Sequence, residues 1–335
     1  MPEPIVQWCN DVAEEMVHPS YFCTGDWLSS ASRFEKTIHI IAVYDQLNNE
    51  LVAVLPLAHR RNLLGGIYGF FIGSRFHPDP LGLVCKKNRL KESAYAIRHY
   101  FEYNLNWDSI ILDWTTEEEC EAWGVKYENV TVAPYLSINS SFEGVLKEFR
   151  KKKRYNIKSS VKQLITNRGA SYTECLALQD KVNCLKDLVT LHRIRAKERV
   201  IKSTVDGPSF FKHHSHLIQT SPSAKIFKLS LEGKTIAVVY GFSYACRFFY
   251  YQVAHDPSYG YLSPGKVLLY LVIKHFCDLG FKEFNFLQGD EEYKGLWTSD
   301  KRKLVRMRLD KRNLRTFIFQ VVKFTKRRLK IFIGV

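Results

Sequence analysis

The fold turns on "FFYYQVAHDPSYGYLSPGKVLLYLVIKHFCDLGFKEFNFLQGDEEYKGLW", Phe248 to Trp297. Four of its first seven residues are aromatic and one is β-branched, as in a buried strand. A polar loop follows, and then "SPGKVLLYLVIKHFCDLG", which carries helix punctuation at both ends: Ser263 as an N-cap, Pro264 in the first turn, Gly280 as the left-handed stop. The strand "FKEFNFL" comes next. Two parallel strands need a crossover, and a helix of this length supplies one, so the stretch predicts a right-handed βαβ unit.

Two places in this unit invite chemistry. The first is the start of the helix, where Gly265 and Lys266 offer backbone N–H groups and a cation at the positive end of the helix dipole, a setting suited to a phosphate or pyrophosphate. The second is the end of the second strand, where Gly289 lets the chain turn and Asp290, Glu291, Tyr293 and Lys294 follow within five residues. Ligands of α/β sheets bind at such strand ends. A carboxylate there, Asp290 or Glu291, suits a general base, Tyr293 a proton donor to a thiolate leaving group, and Lys294 a counter-charge to developing negative charge.

Working outward, "SAKIFKLSLEGKTIAVVYGFSYACRFFYYQVAHD" reads as a hairpin turning at "EGK" with a further strand from Arg247, and residues 37–58 read as an earlier hairpin turning at Asp45–Asn49. Between them "SFEGVLKEFRKKKRYNIKSSVKQLITNRG" predicts one helix with Val145, Leu146, Phe149, Ile157, Val161, Leu164 and Ile165 on its apolar side and Gly169 as its stop. A second helix is expected over about Ala177–Arg199, with Leu178, Val182, Leu185, Val189 and His192 along one stripe. The expected division is a first half over 1–138, a second half over 139–312 and a basic, apolar tail over 313–335, whose composition suits an anionic membrane surface.

The chain has 335 residues, 46% of them hydrophobic, which excludes a disordered protein. No window approaches a membrane span and the N-terminus lacks the pattern of a secretory leader, so a cytoplasmic protein is expected, with peripheral contact at the inner membrane through the tail. Eight scattered cysteines show neither metal spacing nor a disulfide framework, and no metal site is expected. The formal charge of +15 suits a phosphate-bearing substrate or polyanion, yet the run Arg150–Arg154 has no aromatic stacking array beside it and reads as a solvated helix face.

These segments together resemble the CelD/BcsL family of acetyltransferases, a branch of the GNAT superfamily found in bacterial polysaccharide biosynthesis and related in fold to the Fem aminoacyltransferases. The resemblance is carried in order by "AVLPLAHRR", "FRKKKRYNIKSSVKQLITNRG", "LHRIRAKE", "LEGKTIAVVYGFSY", "FFYYQVAHDPSYGYLSPGKVLL" and "GFKEFNFLQGDEEYKGLW". It implies an α/β (α+β) chain of tandem GNAT-like folds, each a mixed central sheet flanked by helices, with the second half binding acyl-coenzyme A. The pantetheine then lies between the strands Phe248–Ala254, with Gln252 and Val253, and Glu283–Leu287, and the pyrophosphate on the Ser263, Gly265 and Lys266 turn. His192, Arg195 and Trp297 line the acceptor side.

The implied activity is transfer of an acyl group, acetyl first, from coenzyme A to the nitrogen or oxygen of a sugar, nucleotide-sugar or lipid-linked precursor. The segment "YGYLSPG" departs from the usual Q/R-x-x-G-x-G/A phosphate loop, so an acyl carrier protein or aminoacyl-tRNA stays open as donor. The alternatives are a Fem-like aminoacyl-tRNA-dependent aminoacyltransferase, the one reading that brings in a nucleic acid, and a non-catalytic GNAT-fold binding module.

Overall fold

The computed structural model describes residues 1–62, 65–198, 205 and 207–311, so the tail over 313–335 lies outside the described residues. In chain order the helices α1 (Glu3–Val12) and α2 (Gly25–Ser32) precede strands β1 (Ile38–Tyr44), β2 (Leu51–Arg61), β3 (Ile67–Phe71) and β4 (Val84–Cys85). Helix α3 (Leu90–Tyr103), β5 (Ser109–Thr115), α4 (Glu117–Trp123) and β6 (Tyr127–Ser137) follow. Next come α5 (Phe142–Lys147), α6 (Lys151–Val161), β7 (Ser171–Glu174), α7 (Leu178–Glu198), α8 (Pro208–Thr220), β8 (Ala224–Leu231), β9 (Lys234–Tyr244) and β10 (Arg247–His255). The chain continues through α9 (Pro264–Asp278), β11 (Glu283–Asn285), α10 (Glu292–Gly295) and β12 (Lys301–Asp310).

Two compact units result, one of residues 1–131 with the chain from Lys303 onward, the other of Val132–Arg302. The sequence reading closed the second half at residue 312; in the structure the last strand returns to the first unit. It does so because β12 pairs antiparallel with β5, from Val305 opposite Thr115 to Asp310 opposite Ser109. Such a pairing joins residues 201 apart in sequence, as in the Ser109–Asp310 hydrogen bond, and leaves no local signature.

In the first unit the expected hairpin forms as β1 and β2, with Asp45 Oδ1 accepting the Leu47 N–H in the turn. Strand β2 then pairs with β3 and β4, and β3 runs parallel to β5 through two positions, Tyr68 opposite Ser109 and Gly69 opposite Ile110. Beyond Ile110 the chain's own segment 78–83 comes in. All of it is buried, and the Leu81 N–H donates to the Trp114 carbonyl at 2.9 Å. Trp114 has a left-handed φ of 58°.

In the second unit the strand order is β6–β11–β10–β9–β8–β7. The turn Glu232–Gly233 joins β8 to β9, both residues at positive φ, as a two-residue hairpin requires. Helix α9 covers one face of β10, where Phe248 stacks on Phe276 at 4.1 Å between centroids. Tyr251 packs against His214 of α8. Hydrophobic residues of α5, α6, α9 and the strands share one core.

The single helix expected over 142–168 is instead two. Helix α5 stops at Lys147, Arg154 of α6 caps its last carbonyl at 2.9 Å, and α6 runs into a π-helical turn, Lys162–Asn167. The break turns Phe149 inward against Trp297, with the Lys153 ammonium 3.6 Å from its ring centroid. Apolar spacing alone continues across the break, which is why the sequence hides it.

Candidate active site

The parallel ladder of β10 and β11 is short. Arg247 faces Glu283, Phe248 faces Phe284 and Phe249 faces Asn285, and there the pairing ends while β10 runs on to His255. The chain beyond Asn285 stays with β6: the Phe286 N–H donates to the Pro134 carbonyl and the Gly289 N–H to the Val132 carbonyl, each at 2.9 Å. Strand β10 has a bulge between Tyr250 and Gln252 in its pairing with β9, which increases local twist. The two strands therefore part, and Gln252 and Val253, both half-buried, lie on β10 beyond the point of parting.

Helix α9 starts at the same end of the sheet, after a 3₁₀ turn over Pro257–Leu262 that Asp256 caps through the Ser258 N–H at 3.0 Å. Ser263 occupies the N-cap position but makes no side-chain cap; its backbone is left-handed, φ 52° and ψ 48°. That corrects its expected capping role, since an N-cap hydroxyl reaches the first turn from an extended backbone. The first intrahelical bond runs from the Val267 N–H to the Ser263 carbonyl at 3.1 Å, so the N–H groups of Gly265 and Lys266 have no acceptor within the helix. Gly265 lies close against His255, whose Nδ1 would sit 3.1 Å from any added Cβ.

After Asn285 the chain makes a strained turn. Leu287 is buried and left-handed at φ 59°, a conformation that costs a residue with a Cβ about 1–2 kcal/mol. Gly289, at φ 107°, occupies backbone space that L side chains rarely adopt, and a Cβ there would lie 2.5 Å from the Glu291 carboxylate, which would have to move. Lys294 of α10 is buried, and its ammonium reaches the carbonyls of Leu287, Gln288 and Gly289 at 3.2, 2.6 and 3.4 Å and the Glu291 carboxylate at 2.8 Å. Asp290 is exposed and paired with Lys301 at 2.5 Å.

Electrostatics tie the loop to the neighbouring elements. The hydroxyls of Tyr293 and of Tyr250 on β10 are hydrogen-bonded, with the Glu291 carboxylate and the Arg195 guanidinium of α7 both acting on them. Burial, then the Tyr293 hydroxyl, holds the Tyr250 hydroxyl well above the ordinary phenol range, with Arg195 pulling the other way. Burial and Glu291 push Tyr293 up likewise, again opposed by Arg195. Both hydroxyls are therefore proton-bearing donors at neutral pH.

Of the residues expected from sequence, Glu291, Tyr293, Lys294 and Arg195 come together around this loop, while Asp290 turns out to the surface pair with Lys301. His192 is half-buried one helical turn before Arg195. Trp297, expected on the acceptor side, is 2% exposed and packed in the core against Phe149, which leaves it no face for an acceptor. Tyr250 and Asn285 escaped the sequence reading. Tyr250 hides within an aromatic run that reads as core; Asn285 did carry a signal, as a lone amide between two phenylalanines in an otherwise apolar strand.

A family model described as an acetyltransferase (GNAT) domain matches residues 151–295. A search of curated proteins finds no match. Among solved structures, FemX aligns at 12% identity and a TM-score of 0.68, covering 94% of this chain and 98% of its own. The C-terminal domain (DUF2156) of a putative lysylphosphatidylglycerol synthetase from Agrobacterium fabrum aligns at 8% identity and 0.58, covering 90% of each chain. The L-PGS of Bacillus licheniformis aligns at 11% and 0.55, covering 89% of this chain and 91% of its own. At such identities these likenesses speak to fold alone. The matched segment holds the parted strands, the α9 turn and the Glu291–Tyr293 loop: residues 151–295 match a GNAT acetyltransferase domain, and the protein is an acyltransferase.

Proposed function

We propose that the gap between β10 and β11 receives the acyl-pantetheine arm of coenzyme A, and that the protein acylates an amino or hydroxyl group of a sugar precursor of bacterial surface polysaccharide, as the CelD/BcsL resemblance implies. The observation that carries the donor site is the end of the parallel ladder at Phe249 and Asn285, beyond which, among the described residues, β11 no longer pairs with β10. Gly265 and Lys266 then meet the pyrophosphate. The acceptor's lone pair attacks the thioester carbonyl carbon, the C–N or C–O bond forms and the C–S bond breaks. The acceptor proton passes to Glu291, and the departing thiolate takes the Tyr293 proton. Arg195, beside both tyrosines, suits an acceptor that carries a carboxylate or phosphate.

A second reading, Fem-like transfer of an aminoacyl group from tRNA, is favoured by the α9 turn. Pro264 lacks an N–H and Ser263 adds no hydroxyl cap, so the turn offers a pyrophosphate fewer donors than a glycine-rich loop does. One experiment separates the two: thermal shift and calorimetric titration of the full chain with coenzyme A, beside tRNA binding at low and high salt. The leading reading expects saturable coenzyme A binding and, with acetyl-CoA and a panel of amino sugars, release of free thiol. Salt-sensitive tRNA binding without a coenzyme A response would replace it with the second.

A further inference from the structure

We propose that Asn285 and Lys294 form a positioning clamp that holds the β10–β11 gap open, one acting on the Leu287 N–H and the other on the carbonyls of Leu287, Gln288 and Gly289, and neither taking part in the chemistry. The proposal rests on the reading that this gap takes the donor. A strand that leaves a parallel ladder exposes N–H and C=O groups that must find other partners when buried. Here they find side chains. The Asn285 carbonyl oxygen Oδ1 accepts the Leu287 N–H at 2.8 Å, replacing a main-chain acceptor that β10 would have provided. The amide's orientation is fixed, because its Nδ2 donates to Glu283 Oε1 at 3.2 Å and Glu283 is itself paired with Arg302 at 3.2 Å.

Three successive carbonyls converge on the Lys294 ammonium, with the Glu291 carboxylate as a fourth partner. An ammonium has three protons. Four acceptors use all of them, so Lys294 keeps none for a substrate and its effect on the reaction passes through the loop it gathers. Between the two side chains Leu287 is held left-handed, which is what turns the chain off the course of β10. Without the clamp, the Leu287 N–H loses its acceptor and the three carbonyls lose theirs, so the loop leaves its place and the gap is no longer held for the donor.

The test uses the full chain with Lys294→Met, Asn285→Ala and the double variant Asn285→Ala/Leu287→Gly. Amide exchange over residues 286–291 in the ligand-free protein, coenzyme A affinity by calorimetry, thioester turnover and the melting temperature are read together. Expected are exchange at Leu287 at least tenfold faster and coenzyme A binding at least tenfold weaker in both single variants. Glycine at 287, to which the left-handed region is open, should recover part of the exchange protection and affinity that Asn285→Ala loses. Unchanged exchange in Lys294→Met overturns the clamp. So does a Lys294→Met protein that binds coenzyme A as the wild type does but has lost turnover, since that would make Lys294 catalytic. Should Asn285→Ala fail to fold, Lys294→Met decides; should the wild type bind no coenzyme A, the donor reading falls while the exchange result still judges the clamp.

Discussion

The two units contain the same device put to different ends. In the first, β3 and β5 run parallel for two positions and then part, with α3 between them in sequence. In the second, β10 and β11 run parallel for three and part, with α9 between them. A left-handed residue other than glycine follows each parting, Trp114 at φ 58° and Leu287 at φ 59°. The difference lies in what takes up the released main chain. The Trp114 carbonyl bonds the Leu81 N–H of a buried segment, and Glu119 accepts the Leu83 N–H of the same segment at 2.8 Å. The Leu287 carbonyl bonds a side chain, Lys294. A buried irregular segment of the backbone takes up the first released carbonyl; a side chain takes up the second. Two similar strand arrangements in one chain can thus be supported in different ways, one by backbone and one by a side chain.

The comparison breaks most easily at the helix starts. Lys266→Asp puts a carboxylate where a pyrophosphate would sit, in the first turn of α9 where an acid suits the helix itself, so coenzyme A affinity should drop about 100-fold with little change in melting temperature. Lys91→Asp, in the first turn of α3, should leave that affinity unchanged. Calorimetry on both variants checks this, and a loss from Lys91→Asp would mean that the first unit also binds donor.

A smaller effect is expected at the proton donor. Tyr293→Phe should lower turnover about 10- to 100-fold with donor affinity kept. Because burial and Glu291 raise the Tyr293 hydroxyl, it stays protonated through the neutral range, and the wild-type pH–rate profile should show no alkaline fall from this group below pH about 10. Among the carboxylates, Glu291→Gln should cost turnover about tenfold and Asp290→Asn little, since Asp290 faces the surface and Lys301. Single-turnover rates of the two variants measure the contrast.

The first unit offers a stability counterpart. Glu119 is buried where it receives the Leu83 and Trp123 N–H groups, and burial pushes its carboxyl up to about 7 from 4.5. Between those values the folded protein holds the extra proton, so stability falls as pH rises from about 4.5 to about 7 and is flat above. Glu119→Gln keeps the acceptor oxygen without the charge. It should remove that slope and gain on the order of 2–3 kcal/mol at pH 8, read from chemical denaturation at several pH values.

The βαβ unit, the two hairpins and the acidic loop were legible because each is written locally: alternation in the strands, Pro264 and Gly280 around α9, Glu232–Gly233 and Asp45–Asn49 in the turns. What sequence hid is non-local or depends on a single side chain's direction. Strand β12 carries no sign that its partner is β5. The break at Phe149 keeps apolar spacing while changing what that residue touches. Lys294 looked like a loop lysine free to meet substrate, and only three-dimensional proximity shows three carbonyls waiting for it. Tyr250 has the same letter and neighbours as a core tyrosine; its hydroxyl's contact with Tyr293 is what distinguishes it.

The return of β12 to the first unit carries a consequence for synthesis. The edge of β5 that β12 covers must wait, on the ribosome, until every residue of the second unit has been translated. The acyltransferase domain therefore has the chance to fold first, although its genetic text comes later, and chaperone attention during translation should concentrate on the earlier-made but later-finished unit.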